Sequence, residues 1–305
     1  MRVCILDCDG SVTAQPFAIE LVASGEATVV DARDLAPKLR IVANRNSLRE
    51  LQGRLDAIGL GSGDITFLGS GDFHHLTFSL LQRVREEVTV IHFDNHPDWV
   101  RFPATVNCGS WINHALKLRH VTRIVTIGPC GKDLSLPEFK MANLDAIREG
   151  ALEVYAWDAD STRLFGRPVN GPSVQTQGRY LKWRKLSDEP WSDFVAELSQ
   201  RLPPTPIWIT LDKDVLDSHE AITNWDQGRM DLDQVLEAIE RLSVGRGILG
   251  VDVCGDYSPP RFRDPFRAFL SATDRPSKTP CLKEANVTND AANRRVLKRL
   301  RAILH

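Results

Sequence analysis

Short runs of apolar, mostly β-branched residues recur along the chain and predict eight β-strands. Several of these runs are apolar throughout rather than alternating with polar residues, which is typical of strands covered on both faces. The predicted strands are residues 3–6, 28–30, 65–68, 88–93, 123–127, 152–157, 207–211 and 248–253.

The segments between the strands carry apolar residues at helical spacing. Residues 76, 80, 81 and 84, for example, are all apolar and would share one face of a helix. The predicted helices are residues 46–58, 76–86, 108–118, 141–149, 191–200 and 232–242. Alternating strands and helices are typical of a three-layer α/β/α fold with a mostly parallel sheet. We therefore predict this α/β fold, with roughly eight strands, for a single domain over residues 1–305.

Two segments do not follow this alternation. Residues 161–190 are rich in Gly, Pro, Arg and Trp and have weak periodicity, so they form either an excursion over the sheet or a loop that covers a substrate. Residues 289–305 place their apolar side chains on one helical face and basic side chains around it. They are predicted to form a terminal helix that docks on the domain.

The composition is that of a globular protein without a strong charge bias. The 305 residues include 38 Lys and Arg against 40 Asp and Glu, which gives a formal net charge of −2. This balance argues against a protein that coats nucleic acid or an anionic membrane. No run approaches the ~20 apolar residues of a transmembrane helix, and the N-terminus lacks the pattern of a signal peptide. With six scattered cysteines, a cytoplasmic protein with reduced thiols is expected.

Asp and His residues cluster directly after three of the predicted strands. The segments are Gly69-Ser70-Gly71-Asp72-Phe73-His74-His75, His92-Phe93-Asp94-Asn95-His96-Pro97-Asp98 and Asp212-Lys213-Asp214-Val215-Leu216-Asp217. The carboxyl ends of parallel strands are where ligands bind in open α/β sheets. A single Asp in such a place is commonly a helix cap, but three such segments favour a shared site.

So many carboxylates at close range would repel each other unless divalent metal ions balanced their charge. Oxygen-rich sites with one or two imidazoles favour Mn²⁺, Mg²⁺ or Fe²⁺. The candidate ligands are enough for two ions about 3.5–4 Å apart. They are His74, Asp94, His96, Asp98, Asp212 and Asp214.

The three segments resemble the motifs of the ureohydrolases, the family of arginase, agmatinase and formiminoglutamase. The family pattern is Gly-Gly-Asp-His, then Asp-Ala-His-x-Asp, then Asp-x-Asp-x-x-Asp, and its order and spacing match over about residues 60–260. The resemblance implies an arginase-like fold and a binuclear manganese hydrolase of a linear C–N bond, with a metal-bridging hydroxide as nucleophile. It implies a small, cationic guanidino or amidino substrate. Relatives are often dimers, trimers or hexamers, which leaves a homo-oligomer open.

The resemblance also implies a ligand set for two manganese ions, bridged by Asp94 and Asp212. The ligands of the first ion would be His74, Asp94, Asp98 and Asp212. Those of the second would be Asp94, His96, Asp212 and Asp214. Because Phe73 interrupts the family's Asp-His pair, either His74 or His75 could be the ligand. His74 is preferred, since His75 would then open the following helix.

The sequence departs from the family at residues expected to act on the substrate. Cys108 stands where relatives carry a proton-shuttling His, and a thiol is a poorer shuttle near neutral pH. Asp256 replaces a late Glu and is the candidate for orienting the cationic end of the substrate. Asn224 and Trp225 are candidate substrate-binding residues; the Trp225 ring would either stack on a planar cation or pack in a loop. With His75, Cys108 and Asp256 form the predicted catalytic set.

Two alternatives compete with this interpretation. The segment around Asp7 and Asp9 resembles the Asp-x-Asp-Gly-Thr motif of haloacid-dehalogenase-type phosphatases, in which the first Asp is a nucleophile and the second a general acid. A short motif of this kind often occurs by chance. The second alternative, motivated by Cys108, is a descendant of the family that binds metal but has lost catalysis.

Overall fold

The computed structural model describes residues 2–61, 63–130, 132–259, 262, 264–272 and 279–304. The strands in these residues are β1 Val3–Asp7, β2 Ala27–Asp31, β3 Val42–Ala43, β4 Ile65–Gly69, β5 Val88–Phe93, β6 Val106–Asn107, β7 Val121–Ile127, β8 Leu152–Tyr155, β9 Thr162–Arg163, β10 Val174–Gln177, β11 Tyr180–Trp183, β12 Ile207–Asp212 and β13 Ile248–Cys254.

Eight of the described strands form a central sheet in the order β2-β1-β4-β13-β12-β5-β7-β8. Every pairing within this sheet is parallel. The strands β1, β4, β5 and β12 are buried at every residue, which explains why their sequences are mostly apolar rather than alternating. The predicted eight-stranded parallel sheet is confirmed.

Helices cover both faces of this sheet. The α-helices are α1 Pro16–Ala23, α2 Ala36–Leu39, α3 Arg45–Ala57, α4 Thr77–Leu81, α5 Trp111–Ala115, α6 Leu144–Arg148, α7 Trp191–Arg201, α8 Leu232–Ser243, α9 Pro265–Ala272 and α10 Leu282–Ile303. Short 3-10 helices are Gly71–Leu76, Cys108–Ser110, Lys132–Leu134, Leu186–Asp188 and Lys213–Val215. Two large apolar clusters, one on each side of the sheet, complete the three-layer α/β/α fold.

Several predicted helices are shorter than expected, for local reasons. The helix predicted over residues 141–149 begins only at Leu144, because Met141 has a φ of +56°, which is incompatible with a right-handed helix. Its N-cap is Asn143, whose side chain accepts a hydrogen bond from the Ala146 N–H. The helices predicted over residues 76–86 and 108–118 are each a 3-10 turn followed by five residues of α-helix.

The segment of residues 161–190 contains an antiparallel sheet in the order β10-β11-β9. β11 alternates between exposed and buried residues, the pattern of a strand with one face in solvent. It is therefore an excursion with its own structure, and none of its residues is among the described residues that line the cavity of about 440 Å³ beside the Asp- and His-bearing segments.

The C-terminal helix α10 docks on α1 and α8 through buried apolar residues that include Val296, Leu297 and Leu300. This is the docked terminal helix predicted from its amphipathic pattern, although it begins earlier, at Leu282. Among the described residues, no helix combines the length and the apolar character needed to cross a membrane.

Candidate metal centre

The three Asp- and His-bearing segments meet at one edge of the central sheet. They follow β4, β5 and β12, and the parallel pairing of β12 with β5 sets Leu211 opposite Phe93 at the carboxyl ends. The 3-10 helices Gly71–Leu76 and Lys213–Val215 then turn the chain at this edge. The sheet topology therefore brings together residues that are up to 140 positions apart in sequence.

The first group of side chains gathers around the imidazole of His74. Its Nδ1 lies 2.9 Å from Asp94 Oδ2, and 3.5 Å from both Asp98 Oδ2 and Asp212 Oδ2. All four side chains are buried. These are the four residues implied as ligands of the first ion. Of the two adjacent histidines, it is His74 whose ring lies in this group.

The second group gathers around the imidazole of His96, which is half-buried. Its Nδ1 lies 3.0 Å from Asp214 Oδ2 and 3.3 Å from Asp94 Oδ1. Asp94 thus presents one carboxylate oxygen to each histidine. Asp212 Oδ2 faces His74, and its Oδ1 accepts a hydrogen bond from the Asp214 N–H at 3.1 Å, which ties Asp212 to the segment that carries Asp214.

Gly71 leaves room for this arrangement. A Cβ at this position would lie 2.8 Å from Asp212 Oδ2 and 2.9 Å from Trp225 Cδ1, closer than van der Waals contact permits. The glycine of the first motif is therefore required by the close approach of the third motif and of Trp225.

Sequence reasoning missed two residues of the cluster, His92 and Cys254. His92 Nε2 lies 3.0 Å from Asp94 Oδ2, and Cys254 Sγ donates a hydrogen bond to Asp212 Oδ2 at 3.1 Å. The signal for His92 was its spacing, because alternate residues of a strand point the same way and His92 precedes Asp94 by two. Cys254 could be recognised only once the strand order was known, since it lies opposite Asp212 in the pairing of β12 with β13.

A hydrogen-bonded chain behind His74 fixes the orientation of its ring. Its Nε2 lies 2.9 Å from Thr210 Oγ1, and the Thr210 hydroxyl donates to Asp252 Oδ1 at 2.8 Å. Asp252 also accepts hydrogen bonds from Thr77 and Trp208. Such outer contacts commonly hold a metal-ligating imidazole in place, and here they leave Nδ1 facing the carboxylates.

The carboxylates of the cluster are costly to ionise together. Burial raises the pKa of Asp98, Asp212 and Asp214, and the negative charge of a neighbouring carboxylate raises each of them further. For Asp98 and Asp212 this neighbour is Asp94. The protein alone therefore does not provide enough positive charge to balance the carboxylates of the cluster if all of them are ionised.

The histidines supply only part of that charge. Burial would raise the pKa of Asp94, but hydrogen bonds with His74, His92 and His96 hold it well below its usual value. Burial would lower the pKa of His74, but the hydrogen bond and charge of Asp94 raise it to about 10. For His92 burial prevails and lowers the pKa to about 4.

These features fit a divalent-metal site. Four buried or nearly buried carboxylates with two facing imidazoles are hard, oxygen-rich donors, the set that Mn²⁺ and related ions prefer. Positive ions placed between them would remove the repulsion that raises the pKa values. The described His, Cys and Asp residues that lie close enough to share an ion here are His74, His92, Asp94, His96, Asp98, Asp212, Asp214 and Cys254.

Metal affinity should therefore increase with pH. The metal-free cluster holds a proton on His74, whose pKa is about 10, and the raised pKa values of Asp98 and Asp214 favour protons on these carboxylates as well. A metal ion must displace these protons. We expect manganese affinity, measured by equilibrium titration, to rise roughly tenfold per pH unit between pH 6 and 8 for each proton released. An affinity independent of pH over this range would contradict the protonated state of the free cluster.

A cavity of about 440 Å³ opens over the two groups of side chains. Trp225 and Cys108 form parts of its wall, and Asp133, Lys140 and Met141 also line it. Trp225 lies against His96, with ring centroids 6.1 Å apart. Both Trp225 and Cys108 therefore lie in the cavity wall next to the cluster.

His75 lies behind Cys108 and is not among the described residues that line the cavity. Its Nδ1 is 3.5 Å from Cys108 Sγ, and burial lowers the pKa of His75 to about 3. Burial, followed by the charge of Asp98, raises the pKa of Cys108 well above its ordinary value. A neutral thiol against a neutral imidazole is a weak pair for moving protons near pH 7.

The structure does not bring Asp256 to the cavity, contrary to its predicted contact with substrate. Asp256 is fully buried and is not among the described lining residues. Its Oδ1 pairs with Lys213 Nζ at 2.7 Å and accepts hydrogen bonds from Gln15 and Asn293. Lys213, which lies between two predicted metal ligands, is also fully buried. The lysine therefore neutralises the charge that was expected to orient a cation.

Asn224 is likewise directed away from the described lining of the cavity. Its side chain donates to the Ser258 carbonyl at 2.7 Å and accepts from the Ser258 N–H at 2.8 Å. This pair of hydrogen bonds ties two loops together and places the adjacent Trp225. Asn224 is thus a loop anchor, and only its neighbour reaches the cavity.

Asp7 and Asp9, the residues of the phosphatase alternative, stabilise the turn after β1. Asp7 Oδ2 pairs with the guanidinium of Arg33 at 2.5 Å, and Asp7 Oδ1 accepts from the Gly10 N–H at 2.8 Å. Asp9 accepts from Ser11 and faces Arg40 at 3.3 Å. Neither carboxylate is among the described residues that line the 440 Å³ cavity.

Comparison with known proteins gives one matching family and several solved structures of the same fold. The model of the Arginase family matches residues 10–156. The arginase from Bacillus cereus superposes with a TM-score of 0.53 at 14% sequence identity, and the match covers 100% of this chain and 98% of that one. The proclavaminate amidino hydrolase from Streptomyces clavuligerus gives a TM-score of 0.51 at 14% identity, covering 95% and 92% of the two chains. At these identities the structural matches show a common fold.

An uncharacterized protein from Thermotoga maritima is 28% identical over 198 residues, which are 65% of this chain. The match spans about 60% of the length of that curated relative. The chain is thus similar to the Arginase family in sequence over residues 10–156 and shares the fold of the Bacillus cereus arginase over its whole length.

Proposed function

We propose that the chain is a binuclear manganese hydrolase that cleaves a linear, non-peptide C–N bond of a small guanidino or amidino compound, within a single domain. The observation that carries this proposal is the position of Asp94 between two imidazoles. One of its oxygens faces His74 and the other faces His96. A carboxylate placed in this way is suited to bridge two ions.

In this proposal the ligands are those assigned from the sequence. They are His74, Asp94, Asp98 and Asp212 for one ion, and Asp94, His96, Asp212 and Asp214 for the other. When bound, such ions polarise the bond to be cleaved and lower the pKa of water.

The protein's own contribution is to hold this set rigid and to orient it. Trp111 Nε1 donates to Asp98 Oδ2 at 2.6 Å, Thr210 fixes His74, and the Asn95 N–H donates to Asp214 Oδ1 at 3.1 Å. Each contact occupies a lone pair or a ring nitrogen that would otherwise let the ligand rotate. The reacting group of the substrate would therefore meet a preorganised site.

The walls of the cavity favour a small planar cation. The aromatic wall formed by Trp225 suits stacking on a guanidinium or amidinium group, and the acidic cluster beneath it attracts positive charge. Because Asp256 is paired with Lys213, it would not supply the anionic contact. The carboxylates of the cluster and Asp133, which also lines the cavity, are the acidic groups near the substrate in this proposal.

The direct test is turnover of a broad set of guanidino, amidino and amide compounds by manganese-loaded protein. We expect release of urea, or of ammonia or an amine, from at least one cationic member, and no release by the Asp94→Ala variant under the same conditions. Loss of a phosphate group from ester substrates, abolished by Asp7→Asn, would instead favour a phosphatase. Metal binding without any product would favour the non-catalytic descendant.

A further inference from the structure

A second cavity, of about 400 Å³, lies across a two-stranded ribbon from the candidate metal centre. The ribbon is formed by β3 and β6, which pair antiparallel. Val42 and Asn107 face each other across it and both line the metal-centre cavity, whereas the next pair, Ala43 and Val106, lines the second cavity. Neighbouring residues of a strand point to opposite faces, so the ribbon is a shared wall.

The second cavity is bordered by three cationic side chains. Arg45 and Arg49 project from the first turns of α3, and Lys117 follows α5. All three are exposed, and none forms an ion pair with a described residue. No Asp or Glu is among the described residues that line this cavity. We call it the basic groove, defined by Arg45, Arg49 and Lys117.

This concentration of charge is unusual for the chain. The net charge of the protein is −2, and many of its other arginines are paired with acids, as Arg54 of the same helix is paired with Asp34. Arg45 and Arg49 are four residues apart on one helix face, where like charges repel and weaken the helix. An anion bound between the two arginines would attract both of them and offset their mutual repulsion.

The floor of the groove is neutral and partly apolar. Leu48 and Val106 are buried there, and the rings of Phe78 and His114 pack with centroids 5.8 Å apart. His114 Nε2 donates to the Thr105 carbonyl at 3.2 Å. Burial lowers the pKa of His114, and the charges of Lys117 and Arg45 lower it further, so the imidazole is held neutral beside the cations.

We propose that the basic groove binds a small phosphate monoester. A phosphate monoester carries a charge of about −1.5 to −2 at pH 7, which matches three cations better than a single carboxylate does. Planar guanidinium groups such as those of Arg45 and Arg49 bind phosphate oxygens in pairs. The organic part of the ester would lie on the apolar floor around Phe78. The site is separate from the proposed metal centre and does not depend on its activity.

The test is a calorimetric titration of the metal-loaded full chain with phenyl phosphate. We expect one saturable site, and binding weakened about tenfold or more in the Arg45→Gln/Arg49→Gln double variant, because each lost contact is a charge-assisted hydrogen bond. The matched control is Arg179→Gln, which removes an exposed arginine from the β10–β11 turn. The affinity of this variant for phenyl phosphate should remain within about twofold of that of the unmodified chain.

Each other outcome would overturn the proposal. An absence of binding to the unmodified chain would do so, and so would equal affinity in the double variant, since that would place the ligand elsewhere, such as at the acidic cluster. Equal weakening by Arg179→Gln would indicate attraction by overall charge alone. Succinate, a dianion without phosphate, should bind at least about tenfold more weakly; equal binding would refute the assignment to phosphate. Circular dichroism of the double variant confirms that the comparison is made on folded protein.

Discussion

Replacement of Asp212 by alanine is expected to reduce manganese from about two ions per chain to nearly none, and to abolish turnover. In the proposed ligand set Asp212 contacts both ions; its Oδ2 lies 3.5 Å from His74 Nδ1, and its Oδ1 accepts a hydrogen bond from the Asp214 N–H. Its removal therefore takes a ligand from each ion. Metal content is measured by elemental analysis after dialysis against a fixed concentration of free manganese.

Two variants make this result specific. Asp98→Ala should leave about one ion, because Asp98 contacts His74 and belongs only to the first group. Asp217→Ala should leave both ions, because this third aspartate of the same motif is half-buried and pairs with His219 instead of facing the cluster. Full retention of two ions by Asp212→Ala would contradict the bridging assignment. Loss of both ions from Asp217→Ala would show that the motif tolerates no substitution and that the measurement is unspecific.

Replacement of Lys213 by methionine is expected to lower the free energy of unfolding by about 3–5 kcal/mol, the usual consequence of leaving one member of a buried ion pair without its partner. Lys213 and Asp256 are both fully buried, and their charged atoms are 2.7 Å apart. Methionine keeps the length of the side chain but removes the charge, which leaves a carboxylate in the protein interior. Urea denaturation of chelator-treated protein measures this effect without any contribution from bound metal.

The double variant Lys213→Met/Asp256→Asn tests whether the unpaired carboxylate of Asp256 causes this loss of stability. With both charges removed, much of the lost stability should return, because the interior no longer holds an isolated charge. The matched control is Lys38→Met, which breaks the exposed pair with Glu50 and should cost less than about 1 kcal/mol. A Lys213→Met variant as stable as the unmodified chain would show that the Lys213–Asp256 pair is not a stabilising feature.

The main features of the fold could be predicted because they depend on local pattern. Strands such as β5 and β12 are buried at every residue and are therefore mostly apolar. The candidate metal ligands could be chosen from the sequence, because the carboxyl ends of parallel strands share one edge and the motifs are short. His92 belonged to the same strand and could have been found by its spacing from Asp94.

Other features depended on contacts between distant parts of the chain. Asp256 has the right residue type for binding a cation, but its partners are Lys213, Gln15 and Asn293, and Asn293 lies on the C-terminal helix. No spacing in the sequence shows that these four meet. The helix predicted at residue 141 failed for a local reason, the positive φ of Met141, which a non-glycine residue rarely adopts.

The central claim is that Asp94 bridges two manganese ions, and anomalous diffraction from crystals of the manganese-loaded protein tests it most directly. The proposal predicts two peaks at the manganese edge about 3.5–4 Å apart, one next to His74 and Asp98, the other next to His96 and Asp214, with Asp94 between them. A single peak held by His74, Asp212 and Cys254, which also lie close enough to share an ion, would contradict it.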